Sequence, residues 1–239
     1  MRRSRGDAAA FAGRGPVFAG GKRFRIRQMS KTSFRLAGIA LVAAALGAVA
    51  ALVLRPQPEP VPDIAGMLWP DPRPVADFSL VDHDGEPFTR ERLEGRWTFL
   101  FFGYTHCPDI CPDTMARLRN VVHALEEYPG DAEDVQVAFV SVDPERDTRE
   151  HLKAYVQYFD PEFLGVTGSE EAIDRITRDL GIVYALGAPE DDGSYLVDHS
   201  AAVLLLGPQG RFIGVFSAPH DPADIAERFR AMRRVAENA

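Results

Sequence analysis

The sequence predicts an α/β fold, a mixed sheet flanked by helices, formed by residues 66–239. Three observations predict it. Residues 97–102 are a run of apolar and aromatic side chains interrupted only by Thr98, as expected of a strand buried on both faces. Capped segments with helical spacing alternate with such strands, the pattern of a layered α/β domain. Residues 201–216 read as strand, Gly207-Pro-Gln-Gly210 turn and strand, so part of the sheet is antiparallel.

Taken in order, residues 1–35 are a basic arm with ten Lys or Arg against one acid, Asp7. They show no apolar periodicity and are expected to be disordered. Met29, just before Ser30-Lys31-Thr32, is an alternative start. Residues 36–54 run for 19 positions without a charged or polar side chain. As a helix rising about 1.5 Å per residue they reach roughly 28 Å, close to the hydrocarbon thickness of a bilayer. The basic flank stays in the cytoplasm, so the rest of the chain faces the other side of a bacterial inner membrane. A cleaved signal peptide is the rival reading, since Ala48-Val49-Ala50 is an acceptable cleavage site, but residues 51–54 stay apolar beyond it. The proline-rich stretch 55–65 is a stiff, extended spacer.

In the domain, 77–85 followed by Pro87-Phe88-Thr89 reads as an N-terminal β-hairpin with an Asp84-Gly85 turn. Strand 97–102 is followed by a helix over 112–127. Strand 135–142 is followed by a helix over 148–159, capped by Asp147 or Thr148. A short strand at 163–166 precedes a helix that Ser169 caps and Gly181 ends. Short strands at 182–185 and 195–197 flank a polar, mobile loop at 189–193. Asp221 and Pro222 open the last helix.

The formal net charge of −8 conceals a division. Residues 1–35 sum to +9, and the remaining 17 bases and 34 acids sum to −17. A nucleic-acid-binding face is thereby excluded from the domain.

The chain has two cysteines, Cys107 and Cys111, in the loop that follows the buried strand. Two thiols so spaced can hold a soft metal, exchange a disulfide or brace a loop. A structural disulfide is allowed outside the cytoplasm. Closing so short a loop, however, removes little chain entropy. Pro112 fits a first helical position, which puts Cys111 near the N-cap, where unpaired amides favour thiolate. His199 precedes the apolar strand at 201–206.

Three segments carry a resemblance: Gly103-Tyr-Thr-His-Cys107-Pro-Asp-Ile-Cys111-Pro112, Val140-Ser-Val-Asp-Pro-Glu-Arg-Asp-Thr148 and Val197-Asp-His199-Ser200. Together they resemble the Sco/SenC family over about residues 75–236. The resemblance implies a membrane-tethered, thioredoxin-like domain that binds copper and helps assemble the dinuclear copper centre of cytochrome c oxidase. It places the family's copper ligands on Cys107, Cys111 and His199. The implied cofactor is one copper per chain, Cu(I) or Cu(II). The implied partners are the copper-bearing oxidase subunit and other copper chaperones, with the protein itself a monomer. The chemistry agrees, because Cu(I) prefers thiolate sulfur and imidazole suits both oxidation states.

The alternative function is a thiol–disulfide oxidoreductase that uses the pair Cys107 and Cys111 to reduce the oxidase cysteines. A thioredoxin-type enzyme carries Cys-x-x-Cys; the spacing here is one residue longer, which opens the pair for a metal. A metallochaperone rather than an enzyme is therefore the expectation. His106, adjacent to Cys107, should point away from it. His83, His123, His151 and His220 are expected in turns, on solvated helix faces or in loops, and Asp143 and Asp147 as turn and capping residues.

Overall fold

The apolar run becomes the centre of the sheet. The computed structural model of the protein describes Leu41 and residues 43–49, which are helical, then Ile64 and residues 67–237. Residues 60–239 make one compact unit. In it β4 (Trp97–Gly103) is buried at all seven positions. Its odd positions, Trp97, Phe99 and Phe101, join one core, while Leu100 and Phe102 join the other. Period-two alternation of side chains makes one strand the partition between two cores.

Beside it lies β5 (Val135–Ser141), parallel to β4, and beyond that β6 (Leu164–Thr167), parallel to β5. Parallel neighbours require crossovers. These are α1 (Ile110–Glu126) and α2 (Arg149–Phe159). On the other flank β9 (Val203–Gly207) and β10 (Arg211–Phe216) form the expected hairpin, antiparallel to β4. The N-terminal hairpin, β2 (Ser79–Asp82) with β3 (Pro87–Thr89), closes the far edge on β6. Gly85 takes a φ of 88° in its turn, and Asp82 Oδ1 accepts from the amides of Asp84 and Glu86. Helix α3 (Glu170–Leu180) lies on the core of Leu100 and Phe102, and α4 (Pro222–Glu237) on that of Trp97. Phe229 of α4 meets Trp97 edge-on at 5.6 Å, a geometry worth about 1 kcal/mol beyond its burial.

Four expectations change. An edge strand, β1 (Leu68–Pro74), pairs with β10 where the proline-rich sequence suggested none. Its register breaks between Leu68 and Arg73, and an edge tolerates proline because half its amides need no partner. Helix α1 begins two residues early, at Ile110, which puts Pro112 third in the first turn; the first four amides have no intrahelical partner, so proline costs nothing there. Thr148, not Asp147, caps α2, accepting from the His151 amide at 3.2 Å. The short strands settle as β7 (Tyr184–Leu186) and β8 (Val197–His199), a separate two-stranded sheet with His199 opposite Tyr184. His199 therefore ends this arm instead of leading into β9.

Among the described residues no helix is long and apolar enough to cross a membrane. Most of the span expected at 36–54, the basic arm, and the linker apart from Ile64 lie outside the described residues.

Candidate metal centre

The site forms where β4 ends. The close of β4 at Gly103 turns the chain into a loop tied by the Cys107 amide to the Tyr104 carbonyl, and α1 then carries Cys111 back beneath it. A Cβ on residue 103 would stand 2.7 Å from Cys111 Sγ and 2.8 Å from the Phe139 ring. Only glycine lets the strand end this close to the sulfur.

The arm β7–β8 brings His199 over the same point. Its Nε2 lies 3.2 Å from Cys111 Sγ, and its Nδ1 lies 3.0 Å from the Ser200 carbonyl. A carbonyl only accepts, so Nδ1 bears the proton and Nε2 presents its lone pair to the thiol. Phe101 and Tyr104 border the imidazole, Tyr104 edge-on at 5.9 Å. One donor atom from each of Cys107, Cys111 and His199 lies within 4.8 Å of the others. Donors sharing one ion, with metal–sulfur and metal–nitrogen bonds of about 2.3 and 2.0 Å, stand roughly 3–4.3 Å apart. The trio needs little adjustment to take a soft ion, and both thiols are unbridged.

The thiols differ in environment. Cys107 is half-buried, whereas Cys111 is sealed in the core with Met115 and Phe139. Burial pushes the Cys111 thiol well above its ordinary value, the Cys107 sulfur adds to this, and a hydrogen bond from the Tyr104 backbone offsets only part. The expected thiolate at the helix start is thus corrected for Cys111: desolvation outweighs the helix dipole, and the S–H donates to His199 Nε2.

Asp147 holds the loop, a role its sequence context did not reveal. It is buried; its Oδ2 accepts from the Thr105 amide at 3.0 Å and from Ser141 Oγ at 2.6 Å, and its Oδ1 from Thr105 Oγ1 at 2.6 Å. The role follows from the sheet, where Gly103 and Ser141 are register partners and the loops after β4 and β5 leave side by side. Replacing Asp147 with Ala takes the acceptor from the Thr105 amide and the Ser141 hydroxyl and should cost roughly 2–4 kcal/mol of stability. Urea unfolding of wild type and variant measures it.

Asp143 belongs to a second brace. It accepts from Arg146 Nε at 2.5 Å and from the Tyr195 hydroxyl at 2.8 Å, while the Arg146 guanidinium stacks 3.5 Å over the Tyr195 ring. This pins the segment leading into β8. The other histidines stay outside the trio. His106 faces Asp147 and His151. His83 is buried and accepts from the Gly165 amide, His123 is exposed on α1, and His220 is buried near the Phe216 carbonyl. A broad concavity lined by Arg92, Glu133, Gln136 and Glu162 opens where β5 begins, and no thiol or imidazole lines it.

The sequence model of the SCO1/SenC family matches residues 70–234. The SCO2 homolog from mitochondria of Bos taurus is 44% identical over 154 residues, covering 64% of this chain and 58% of the relative. The chain thus spans less than two thirds of that relative's length. Among solved structures, Arabidopsis thaliana ScoI with copper bound aligns at a TM-score of 0.62 and 39% identity, covering 66% of this chain and 98% of that one. Bradyrhizobium japonicum ScoI with copper bound aligns at 0.59 and 35% identity, covering 67% and 98%.

Proposed function

Because the chain belongs to the SCO1/SenC family, we propose that it binds one copper ion through Cys107, Cys111 and His199 and delivers it to the dinuclear centre of cytochrome c oxidase. The convergence of Cys111 Sγ and His199 Nε2 across 88 residues carries this reading. Copper is the cargo. It takes the place of the proton shared between thiol and imidazole, and the Cys107 sulfur completes a donor set that suits Cu(I) and, with nitrogen present, Cu(II). The Ser200 carbonyl orients the ring from behind, as the outer partners of metal-bound imidazoles do. Leu186 and Leu196, both more than half exposed on or beside the arm that carries His199, give a client an apolar surface next to the metal.

The client is the copper-bearing oxidase subunit, and other copper chaperones load the site. The domain works outside the cytoplasm of a bacterial cell, tethered through residues 36–54. Protease added to spheroplasts should remove the domain and leave the membrane intact; protection of the domain, or a mature N-terminus at Ala51, overturns the tether.

The test of the central reading is stoichiometry. The reduced chain should retain one copper after desalting, and the chain oxidised at Cys107 and Cys111 should retain none. The half-buried Cys107 beside a buried partner thiol also favours a second reading, reduction of client disulfides. Rapid reduction of client disulfides by a chain that holds no copper decides for it.

A further inference from the structure

The described residues hold a second cluster of donor atoms, which shares no residue with the thiol trio. His106 Nδ1 lies 3.4 Å from Asp147 Oδ1, and the rings of His106 and His151 meet edge-on with centroids 5.1 Å apart. One donor atom from each of these three residues lies within 4.8 Å of the others. We propose that His106, Asp147 and His151 form a second transition-metal site, taking a borderline divalent ion, Cu(II) or Zn(II).

The local architecture prepares the donors. The Asp147 carboxylate is buried and fixed by three hydrogen bonds, two on Oδ2 and one on Oδ1. Oδ1 accepts from Thr105 Oγ1, and His106 Nδ1 lies 3.2 Å from that hydroxyl and 3.4 Å from Oδ1, so a bound ion would take the ring nitrogen from the hydroxyl. His151 stands in the first turn of α2, its backbone held by the Thr148 cap. Both imidazoles are exposed, so their rings can turn and water can complete the coordination shell. Nitrogen and oxygen donors on an ion with bonds of about 2.1 Å are separated by roughly 3.4 Å in a tetrahedral site, which the His106–Asp147 pair already satisfies. A pair of imidazoles with one carboxylate is too rich in nitrogen for Mg²⁺ or Ca²⁺ and lacks the thiolate that Cu(I) prefers. An ion pair accounts for the His106–Asp147 contact and edge-on ring packing for the His106–His151 contact; what a shared ion adds is a reason for all three donors to converge. Bound metal would tie the cysteine loop to α2, one residue from Cys107.

The test removes the thiol site, so it stands or falls independently of copper delivery. The full-length chain with Cys107→Ser, Cys111→Ser and His199→Ala, purified without a tag, is titrated with Cu(II) and separately with Zn(II). The expected result is one ion per chain, mutual displacement of the two metals, and Cu(II) paramagnetic resonance with coupling to two imidazole nitrogens. Adding His151→Ala or His106→Ala should weaken both ions more than about tenfold, since even outer partners of metal ligands are worth that much. Nitrogen coupling should fall with it. His151→Ala alters an exposed side chain, and an unchanged circular dichroism spectrum establishes that the fold is kept. Adding His123→Ala, exposed on α1, should change nothing. Absence of a bound ion, or affinity and nitrogen coupling that survive His151→Ala, overturns the site and leaves His106 as an ion-pair partner of Asp147.

Discussion

Replacing Cys111 with Ser is expected to abolish retention of Cu(I) and leave the domain folded. Outer partners of metal ligands already contribute about 10–100-fold to affinity, so losing a direct thiolate should weaken Cu(I) more than about 100-fold. The fold should tolerate the change because the serine hydroxyl is smaller than the thiol and can donate to His199 Nε2 as the S–H does. The cost is desolvation of one hydroxyl with a partner, on the order of 1 kcal/mol. Competition with a Cu(I) chelator and a thermal melt separate the two effects. Cys107→Ser should act likewise on copper with even less effect on the fold, since Cys107 is only half-buried.

A pH dependence follows from the same thiol. Burial raises the Cys111 pKa, so the metal-free protein holds that proton throughout the neutral range. Copper must displace it, and protons compete with the metal wherever the thiol is protonated. Lowering the pH therefore weakens Cu(I) and raising it strengthens Cu(I), by about tenfold per pH unit for each proton displaced. Affinity that is flat between pH 6 and 8 would mean that Cys111 is already a thiolate before copper arrives.

The parts of this fold that were legible in the sequence are those fixed by local patterning. The run that became β4 could only be a doubly buried strand, and Ser169 with Gly181 bracketed α3 to the residue. Position 68–74 was illegible for a physical reason: an edge strand full of proline has neither the alternation nor the amides that identify a strand, and only its pairing with β10 defines it. The cysteines announced themselves by scarcity and spacing. His199 did not, because nothing local distinguishes it from a strand-end histidine, and the resemblance of its segment to the family singled it out.

Asp147 shows the limit most clearly. A carboxylate before a helix reads as a cap, and its neighbour Thr148 takes that role. What Asp147 does depends on β4 and β5 ending side by side, which places Thr105 and Ser141 around it. Such a role is tertiary, and periodicity and propensity carry no trace of it. The thiolate expectation for Cys111 failed for a related reason: the helix start was visible, but the depth at which the core encloses the sulfur was not.

His199→Ala should split the two oxidation states of copper. The substitution removes a half-buried ring at the end of a short arm, so the two cores lose little and the melting temperature should move by no more than a few degrees. Cu(I) should still bind, because two thiolates satisfy its soft, low-coordinate preference. Cu(II) favours nitrogen and a larger coordination number, and thiolates without the imidazole tend to reduce it. The variant should therefore retain Cu(I) and lose the stable visible absorption of a Cu(II)–thiolate centre. Exchanging His199 for Gln tests whether the ring nitrogen itself matters, since an amide can accept from Cys111 yet is a poor copper ligand. His106 faces Asp147 and His151, so it is not placed to compensate. A His199→Ala protein with the wild-type Cu(II) spectrum and affinity would remove His199 from the ligand set and with it the link between the β7–β8 arm and the cysteine loop.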